Sequence, residues 1–307
     1  MAAMLITKFV SAVSIMCAGS CAFASQPLQL ADPYIYPEDG TYYIYGTKSP
    51  DGIEVYASSD LEHWEYKGLA LDKKNSYADR WFWAPEVYHV NGRYYMFYSA
   101  DEHICVASSD SPTGPFVQDE KKPLLPDKNI DSSLFVDDNG TPYIFFVRLI
   151  NGNAIWVAEM TPDLKALKLE TLSPCVAAEE PWERQLHNVA EGPSVIKHGG
   201  VYYLLYSAND YRSQDYGVGY ATASSPLGPW TKHSGNPVLQ RADNLMGTGH
   251  GAPFMTFDGQ YKYVYHAHNS DNKVAPRLTH IKDLTISPKG VISIINTPTH
   301  CVAADNR

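Results

Sequence analysis

A short pattern recurs five times along this 307-residue chain and constrains its fold more than any other feature. Each copy is a turn dipeptide that ends in glycine, followed at once by an extended, aromatic run, which is the strongest short-range signal of a β-hairpin. The dipeptides begin at positions 39, 91, 139, 199 and 258, so the copies lie 52, 48, 60 and 59 residues apart. The copies read DGTYYIYGT, NGRYYMFYSA, NGTPYIFFV, GGVYYLLYSA and DGQYKYVYHAH.

Each repeat contains further strand-like segments, and they favour one architecture. A second extended run follows each of the first four copies, and long helical periodicity is absent after residue 24. Units of about 50 residues with three or four antiparallel strands are typical of a propeller blade. The sequence therefore predicts an all-β, five-bladed β-propeller over residues 25–307, as a single domain. A β-sandwich with coincidental turns is the alternative, and five aromatic repeats disfavour it.

The first 24 residues differ from the rest of the chain. One lysine, Lys8, precedes an apolar run, and Ala22-Phe23-Ala24 ends the segment. This order is typical of a secretory signal peptide over residues 1–24, with the mature chain beginning at Ser25. A buried N-terminal helix is one alternative, and a lipoprotein acylated on Cys21 is another. We expect an exported protein, periplasmic or extracellular, without a membrane span, since the apolar run is too short for one.

Charge and cysteine content narrow the choice of partners. The net charge of −10 argues against a nucleic-acid surface and favours a neutral, polar ligand. Removal of the leader leaves three cysteines, Cys105, Cys175 and Cys301, without zinc-binding spacing. Cys105 lies in an apolar run and is expected to be an inert core thiol. We predict a monomer that requires no cofactor.

The segments before the dipeptides are expected to form the innermost strands, which surround the channel of a propeller. Each of these segments places a polar or charged residue at its mouth: Asp32, Glu86, Asp131, Glu191 and His250. Paired carboxyl groups in a cleft are what glycosidic hydrolysis uses, one as an acid and one as a base. The recurrence of these residues at matching points of the repeats is a stronger signal than any single carboxylate.

Glu191 has the setting of a proton donor. It follows the apolar Val189 and Ala190 and precedes Gly192-Pro193. Burial of this kind raises the pKa of a carboxylic acid, so the group can remain protonated near neutral pH. A negatively charged Asp131 nearby is expected to raise that pKa further. Structural roles remain the alternative for two of the aspartates, because Asp32 precedes a proline and Asp131 precedes two serines, as turn residues do.

Taken in order, the motifs ADP, WAPEV, IDSSLFVDDNGTPYIFF, AEGPSVIKHGGVYYLLYSANDY and GTGHGAPF resemble glycoside hydrolase family 43. The resemblance extends from about Leu30 to about Ile294. It implies a five-bladed propeller and inverting hydrolysis of arabinose- and xylose-containing plant polysaccharides.

The resemblance also implies roles for individual residues. Asp32 matches the general base, Glu191 the general acid, and Asp131 the third carboxylate that orients the acid and modulates its pKa. Trp83 and Arg277 match residues that bind the sugar. His250 matches the channel histidine, next to which the resemblance implies Ca²⁺ or an ordered water. Glu86 fits its motif without an implied role.

The choice of sugar stays open at this point. We favour an exo-acting α-L-arabinofuranosidase over a β-xylosidase, an endo-arabinanase or an exo-galactanase. A non-catalytic carbohydrate-binding propeller would not need all three carboxylates, and a glycoside phosphorylase would need a basic phosphate pocket. The segment ANDYRSQDYGVGY, with Tyr211, Arg212 and Tyr216, forms either a wall of the pocket or a solvated hairpin.

Overall fold

Five small antiparallel sheets are arranged as the blades of a propeller in the computed structural model, which describes residues 26–304. The predicted signal peptide, including Cys21, lies outside the described residues. Blade 1 follows β1 (Gln26–Pro27) and consists of β2 (Ala31–Glu38), β3 (Thr41–Thr47), β4 (Gly52–Ser58) and β5 (His63–Asp72). Blade 2 consists of β6 (Trp83–Val90), β7 (Arg93–Ala100) and β8 (His103–Ser109).

The other three blades follow the same order along the chain. Blade 3 consists of β9 (Asn129–Val136), β10 (Pro142–Leu149), β11 (Asn153–Glu159) and β12 (Ser173–Ala177). Blade 4 consists of β13 (Ala190–His198), β14 (Val201–Ala208), β15 (Gly217–Ala223), β16 (Thr231–Lys232) and β17 (Leu239–Gln240). Blade 5 consists of β18 (Gly249–Met255), β19 (Tyr261–Ala267), β20 (Leu278–Ile286) and β21 (Ile292–His300), and β22 (Val302–Ala303) follows. Within residues 26–304, four short 3₁₀ helices lie between strands, at Lys73–Asn75, Leu169–Thr171, Pro181–Glu183 and Ala242–Asn244.

The ring closes at its centre and at its edge. The innermost strands contact one another in the cyclic order β2, β6, β9, β13, β18 and back to β2. At the outer edge, β22 from the end of the described chain pairs with β1 and lies parallel to β5 of blade 1. The two ends of the described chain are therefore fixed to the same blade.

The glycine dipeptides form hairpin turns, as their sequence predicts, but the turns of blades 3 and 5 differ from those of blades 1 and 2. Asp39-Gly40 and Asn91-Gly92 have positive φ at both residues, as the two central residues of a type I′ turn do. In blades 3 and 5 the first residue of the dipeptide is not left-handed, and the turn is longer. The longer turn places the same inner-strand position one residue further from the dipeptide in these two blades.

Aromatic side chains fill the spaces between the blades. Within residues 26–304, a cluster of buried apolar side chains lies at each of the five interfaces between neighbouring blades. Trp64, Tyr98, Phe145, Tyr206 and Tyr265 are among the fully buried members. Because full burial of a large apolar side chain stabilises a fold by about 1.5–3 kcal/mol, these interfaces hold the ring rigid around its channel.

Every innermost strand carries a β-bulge near its start. The pairing with the second strand changes register at this point in all five blades. At each bulge one residue has positive φ, between 41° and 56°: Asp32, Ala84, Asp131, Gly192 and His250. Positive φ is uncommon for residues other than glycine, and bulges redirect side chains next to active sites. The five bulges therefore mark one ring of equivalent positions around the channel.

Candidate active site

The mouth of the channel opens into a cavity of about 650 Å³. Its lining includes the six residues singled out from the sequence: Asp32, Trp83, Asp131, Glu191, His250 and Arg277. They come from all five blades, and Arg277 comes from the segment just before β20. The closed ring thus brings together residues that are up to 245 positions apart in the chain.

The sequence had suggested that the five mouth residues occupy equivalent positions, but in the structure they do not. Asp32, Asp131 and His250 occupy the bulge position, but Glu191 lies one residue before it and Glu86 lies two residues after it. Glu86 consequently lies deeper and lines a narrow cavity in the channel, below the catalytic one. Prolines in the sequence mark how the innermost strands align with one another, because Pro33, Pro85 and Pro193 each follow a bulge residue directly.

A ring of hydrogen bonds holds the bulges, and sequence reasoning missed it. In four blades a second-strand side chain accepts a hydrogen bond from the backbone N–H of the next blade's bulge residue. The pairs are Thr47 with Ala84 (3.0 Å), Ser99 with Asp131 (3.0 Å), Ser207 with His250 (2.7 Å) and His266 with Asp32 (3.1 Å). All four acceptors stand eight residues after the start of their dipeptide, which is the signal that could have revealed them.

Blade 3 breaks this ring. Its residue at the same position is Val147, which has no side-chain acceptor. The backbone N–H of Gly192 instead lies 3.4 Å from Oδ2 of Asp131, which it faces as a donor. The carboxylate of Asp131 therefore takes the place of the second-strand acceptor that blade 3 lacks, between blades 3 and 4 and directly beside Glu191.

Asp32 lies among cationic and polar donors. Its Oδ1 accepts a hydrogen bond from Nη1 of Arg277 (2.9 Å), and its Oδ2 accepts one from Oγ1 of Thr47 (2.6 Å). Nδ1 of His250 lies 3.3 Å from Oδ1. Burial alone raises the pKa of a carboxyl, but Arg277, assisted by His250, His266 and Thr47, holds the pKa of Asp32 well below its usual value. Asp32 is therefore an ionised carboxylate at any working pH.

Glu191 is buried among neutral donors. Oε1 accepts a hydrogen bond from the hydroxyl of Tyr216 (2.8 Å), and Oε2 accepts one from Nδ2 of Asn153 (3.0 Å). Burial, with a smaller contribution from the charge of Asp32, raises the pKa of Glu191 to about 7, although the two donors oppose the rise. At neutral pH a large share of Glu191 therefore carries a proton. Sequence reasoning did not give Asn153 or Tyr216 this role.

Asp131 differs from the sequence-based expectation. Burial and the neighbouring charges of Glu191 and Asp32 raise the pKa of Asp131 itself well above its usual value. Three buried carboxyls share one cavity, and Arg277 keeps Asp32 ionised, so a further negative charge is disfavoured. The charged form of Asp131, which was expected to raise the pKa of Glu191, is therefore disfavoured.

The segment after β14 contributes to the wall of the cavity, although Tyr211 and Arg212 at its tip are also exposed to solvent. Tyr211 and Asp210 line the cavity, and the guanidinium of Arg277 lies 4.8 Å from the ring centre of Tyr211. Arg212 makes two hydrogen bonds to the Asp210 carboxylate, at 2.7 and 2.6 Å. Tyr216, the third residue of interest in this segment, lies fully buried behind the cavity.

The residues around His250 do not form a site for a directly coordinated calcium ion. Calcium takes six to eight oxygen ligands, and the carboxylate oxygen 3.3 Å from Nδ1 of His250 belongs to Asp32, which Arg277 already binds. Within residues 26–304, no group of three or more His, Cys, Asp or Glu side chains is arranged to hold a metal ion. Burial lowers the pKa of His250, so its imidazole is neutral and can bind a water. The calcium or water near His250 stays a prediction.

Comparison with known proteins agrees with the geometry of this cavity. The family model of glycosyl hydrolases family 43 matches residues 26–292. The chain belongs to glycosyl hydrolases family 43. Membership confirms the resemblance inferred from the motifs and the five-bladed fold, and it makes the protein a glycoside hydrolase of an inverting family.

Individual members of family 43 resemble the chain over most of its length. A β-D-galactofuranosidase of Aspergillus niger is 29% identical, over 87% of this chain and 82% of the relative. An extracellular exo-α-(1→5)-L-arabinofuranosidase of Cellvibrio japonicus is 24% identical, over 88% of each. The crystal structure of an endo-1,4-β-xylanase from Bacteroides thetaiotaomicron is 50% identical with a TM-score of 0.89, over 92% of this chain and 99% of that one.

Between residues 26 and 304, no helix has both the length and the apolar character needed to cross a bilayer.

Proposed function

We propose that this family 43 protein is an exo-acting α-L-arabinofuranosidase that acts on arabinose-containing plant polysaccharides or their oligosaccharides. The observation that carries the proposal is the contrast between two buried carboxyls in one cavity, one bonded to a guanidinium and the other to two neutral donors. Asp32 is held ionised by Arg277, whereas the pKa of Glu191 lies at about 7. An ionised base and a protonated acid on a single cavity are the pair that glycoside hydrolysis by inversion requires.

The reaction follows from these two states. Water enters between the sugar and Asp32, and the carboxylate accepts a proton as the water oxygen bonds to the anomeric carbon. Glu191 donates its proton to the glycosidic oxygen as the bond to the leaving group breaks. Blades 1 and 4 are not neighbours in a five-blade ring, which suits the roughly 6.5–9.5 Å between carboxyls that leaves room for this water. Asp131, beside Glu191, keeps the acid in place through the Gly192 backbone.

The enclosing walls support the removal of single sugars. Trp83 contributes an aromatic face to the lining of the cavity, and Arg277 and Tyr211 line it near Asp32. Arg277 is the one arginine or lysine among the described residues that line the cavity, and it is paired with Asp32. This pairing disfavours a phosphate as the attacking group, and three retained carboxyls disfavour a binding propeller without catalysis.

The names of the relatives support a furanosidase, with one competing candidate. Several are arabinofuranosidases, including an arabinoxylan arabinofuranohydrolase of Paenibacillus polymyxa. The crystal structure that is 50% identical favours a second candidate, cleavage of β-1,4-linked xylan. A β-xylosidase of Xylanibacter ruminicola is also among the relatives, at 26% identity.

A substrate panel separates the candidates. The test measures kcat/KM on nitrophenyl α-L-arabinofuranoside and nitrophenyl β-D-xyloside, and the release of arabinose, xylose or oligomers from arabinan, arabinoxylan and unsubstituted xylan. We expect free arabinose from the first two polymers and no oligomers from xylan. Xylo-oligomers from unsubstituted xylan would replace the proposal with the second candidate. Proton NMR of the first product should show an inverted anomeric configuration, and retention would contradict the assigned roles of Asp32 and Glu191.

We also propose that the chain is exported, with the mature protein beginning at or near Ser25. The leader-like pattern of residues 1–24 supports export, and extracellular relatives agree with it. The intact mass of the native secreted protein tests the cleavage site. A mass that includes a diacylglyceryl group on Cys21 would favour the lipoprotein instead.

A further inference from the structure

Both carboxyl oxygens of Glu191 already have a partner, and the two partners lie on different sides. Oε2 faces Asn153, a half-buried residue that lines the catalytic cavity. Oε1 faces Tyr216, which is fully buried and is not part of the cavity lining. The cavity-side oxygen of Glu191 is therefore Oε2, and Oε1 points into the protein.

Tyr216 is mounted rigidly. Its ring stacks on the imidazole of His266, with ring centres 5.8 Å apart and planes at 9°. On another side it packs against Gly249, where an added Cβ would lie 2.4 Å from the Tyr216 ring. His266 in turn accepts the backbone N–H of Asp32. One buried chain of contacts therefore runs from the backbone of the base to the side chain of the acid.

We propose that Tyr216 and Asn153 are positioning residues for the general acid: Tyr216 occupies Oε1, so that the transferable proton is carried on Oε2, which Asn153 holds towards the leaving group. The inference rests on the proposed function of Glu191 and adds which oxygen donates. Both donors favour an unprotonated oxygen, but a phenol O–H is a stronger hydrogen-bond donor than an amide N–H, so Tyr216 decides and the proton is favoured on Oε2, which can still accept the Asn153 bond through its remaining lone pair. The Asn153 amide then limits rotation of the carboxyl group.

Several ionisable groups surround this arrangement and enter the interpretation of any pH profile. They are Asp32 from blade 1, Asp131 from blade 3, Asp210 and Tyr216 from blade 4, and His250, His266 and Arg277 from blade 5. The pKa of Tyr216 is raised well above its usual value by burial and by Glu191. Both histidines have lowered pKa values, so neither changes charge near pH 7.

The test compares Tyr216→Phe with a matched control. Tyr206, on β14 of the same blade, is also fully buried and donates a hydrogen bond to a glutamate, Glu183, at 2.6 Å. Difference infrared spectra against Glu191→Gln report the protonation of Glu191 directly, without substrate. We expect Tyr216→Phe to move this titration upward by about one pH unit, because a hydrogen bond to the charged form is lost. Tyr206→Phe should leave it unchanged.

Kinetics then test the choice of oxygen. Tyr216→Phe should move the alkaline limb of the kcat profile upward in step with the infrared titration. Asn153→Ala, a half-buried change that does not remove a core ring, should lower kcat on poor leaving groups by about tenfold or more and change KM little. On an aryl glycoside that the wild type cleaves, Asn153→Ala should lower kcat much less.

The outcomes separate the two proposals. An unchanged Glu191 titration in Tyr216→Phe, or an equal shift in Tyr206→Phe, would overturn the positioning role. An Asn153→Ala loss of the same size on both kinds of leaving group would overturn it as well. Should Tyr216→Phe fail to fold, the Asn153 variant still decides. A wild type that cleaves no glycoside would end the proposed function, while the infrared titration would still measure the effect of Tyr216 on Glu191.

Discussion

The two walls of the catalytic cavity treat a buried carboxyl in opposite ways. Asp32 and Glu191 are almost equally buried, with 7% and 8% of their surface exposed. On the wall formed by blades 5 and 1, a guanidinium lies 2.9 Å from Asp32. On the wall formed by blades 3 and 4, Glu191 receives its hydrogen bonds from an amide and a phenol, both neutral. Burial is therefore nearly the same for the base and the acid. The charge of the hydrogen-bonding partner is what distinguishes them.

Removal of the base is expected to have the largest effect. Asp32→Asn keeps the size of the side chain but cannot accept a proton from water, and the Arg277 charge beside it is left unpaired. We expect kcat to fall on the order of 10³–10⁴-fold. The loss should be of similar size for aryl glycosides and for natural linkages, because water attacks in both. Steady-state kinetics on the two substrate types measure this, and a loss confined to natural linkages would assign Asp32 to the leaving group instead.

Removal of the acid should depend on the leaving group. Glu191→Gln keeps the shape and loses the proton, so kcat should fall on the order of 10²–10⁴-fold for poor leaving groups. An activated aryl leaving group needs little protonation, and its loss should be far smaller. The alkaline limb near pH 7 should also disappear from the aryl profile, since the pKa of Glu191 lies at about 7.

Glu86 offers a matched control for the acid. It is a half-buried glutamate whose carboxyl is shielded from water, which raises its pKa to about 8, but it lies in the channel below the catalytic cavity. Glu86→Gln should leave the dependence on the leaving group as in the wild type. An equal loss on both substrate types in Glu191→Gln would contradict its role as the acid.

The cationic partner of the base should control the acid limb. Arg277→Gln removes the charge that counteracts burial, so the pKa of Asp32 should rise by about two units or more, and an acid limb that lies below the working range in the wild type should appear within it. At neutral pH the loss in kcat should be moderate, with a higher KM because Arg277 also borders the cavity. The kcat profile between pH 3 and 7 measures the shift. Arg212→Gln is the control, since Arg212 pairs with Asp210 rather than Asp32, and an equal shift there would mean that Arg277 is not specific.

The sequence predicted the blades and the carboxyl residues of the two walls better than it predicted which of their positions are equivalent around the channel. Glycine dipeptides and aromatic runs gave five blades, because turn chemistry and strand composition are local properties. The bulge positions also left a local signal, the proline after Asp32, Ala84 and Gly192. Comparing carboxylates by residue type alone nevertheless placed Glu86 and Glu191 at equivalent positions, which the bulges show to be wrong.

The partners of the two carboxyls were harder to predict for a physical reason. Asn153 reaches Glu191 from another blade, and Tyr216 reaches it from a long connection, so each contact depends on how the ring closes rather than on spacing in sequence. His266 left a trace, since it stands at the position where Thr47, Ser99 and Ser207 stand in other blades. The protonation of Asp131 could not be inferred at all, because it depends on the sum of charges in the closed cavity.

The smallest expected effect concerns Asp131. If Asp131 were charged, Asp131→Asn would remove a repulsion, lower the pKa of Glu191 and move the alkaline limb to lower pH. In the structure burial and the charges of Glu191 and Asp32 raise the pKa of Asp131 well above its usual value, so we expect the group to be protonated while Glu191 titrates. An asparagine then replaces a neutral side chain with another neutral one of the same shape. The alkaline limb should accordingly move by only a few tenths of a pH unit. The level of kcat should still fall, because an amide turned with its NH₂ towards Gly192 cannot accept the N–H that Asp131 Oδ2 faces at 3.4 Å. The kcat profile between pH 5 and 9 and the infrared titration of Glu191 in this variant measure the shift, and a downward move of a full unit would show that Asp131 carries a charge and that the wall of blades 3 and 4 is not neutral.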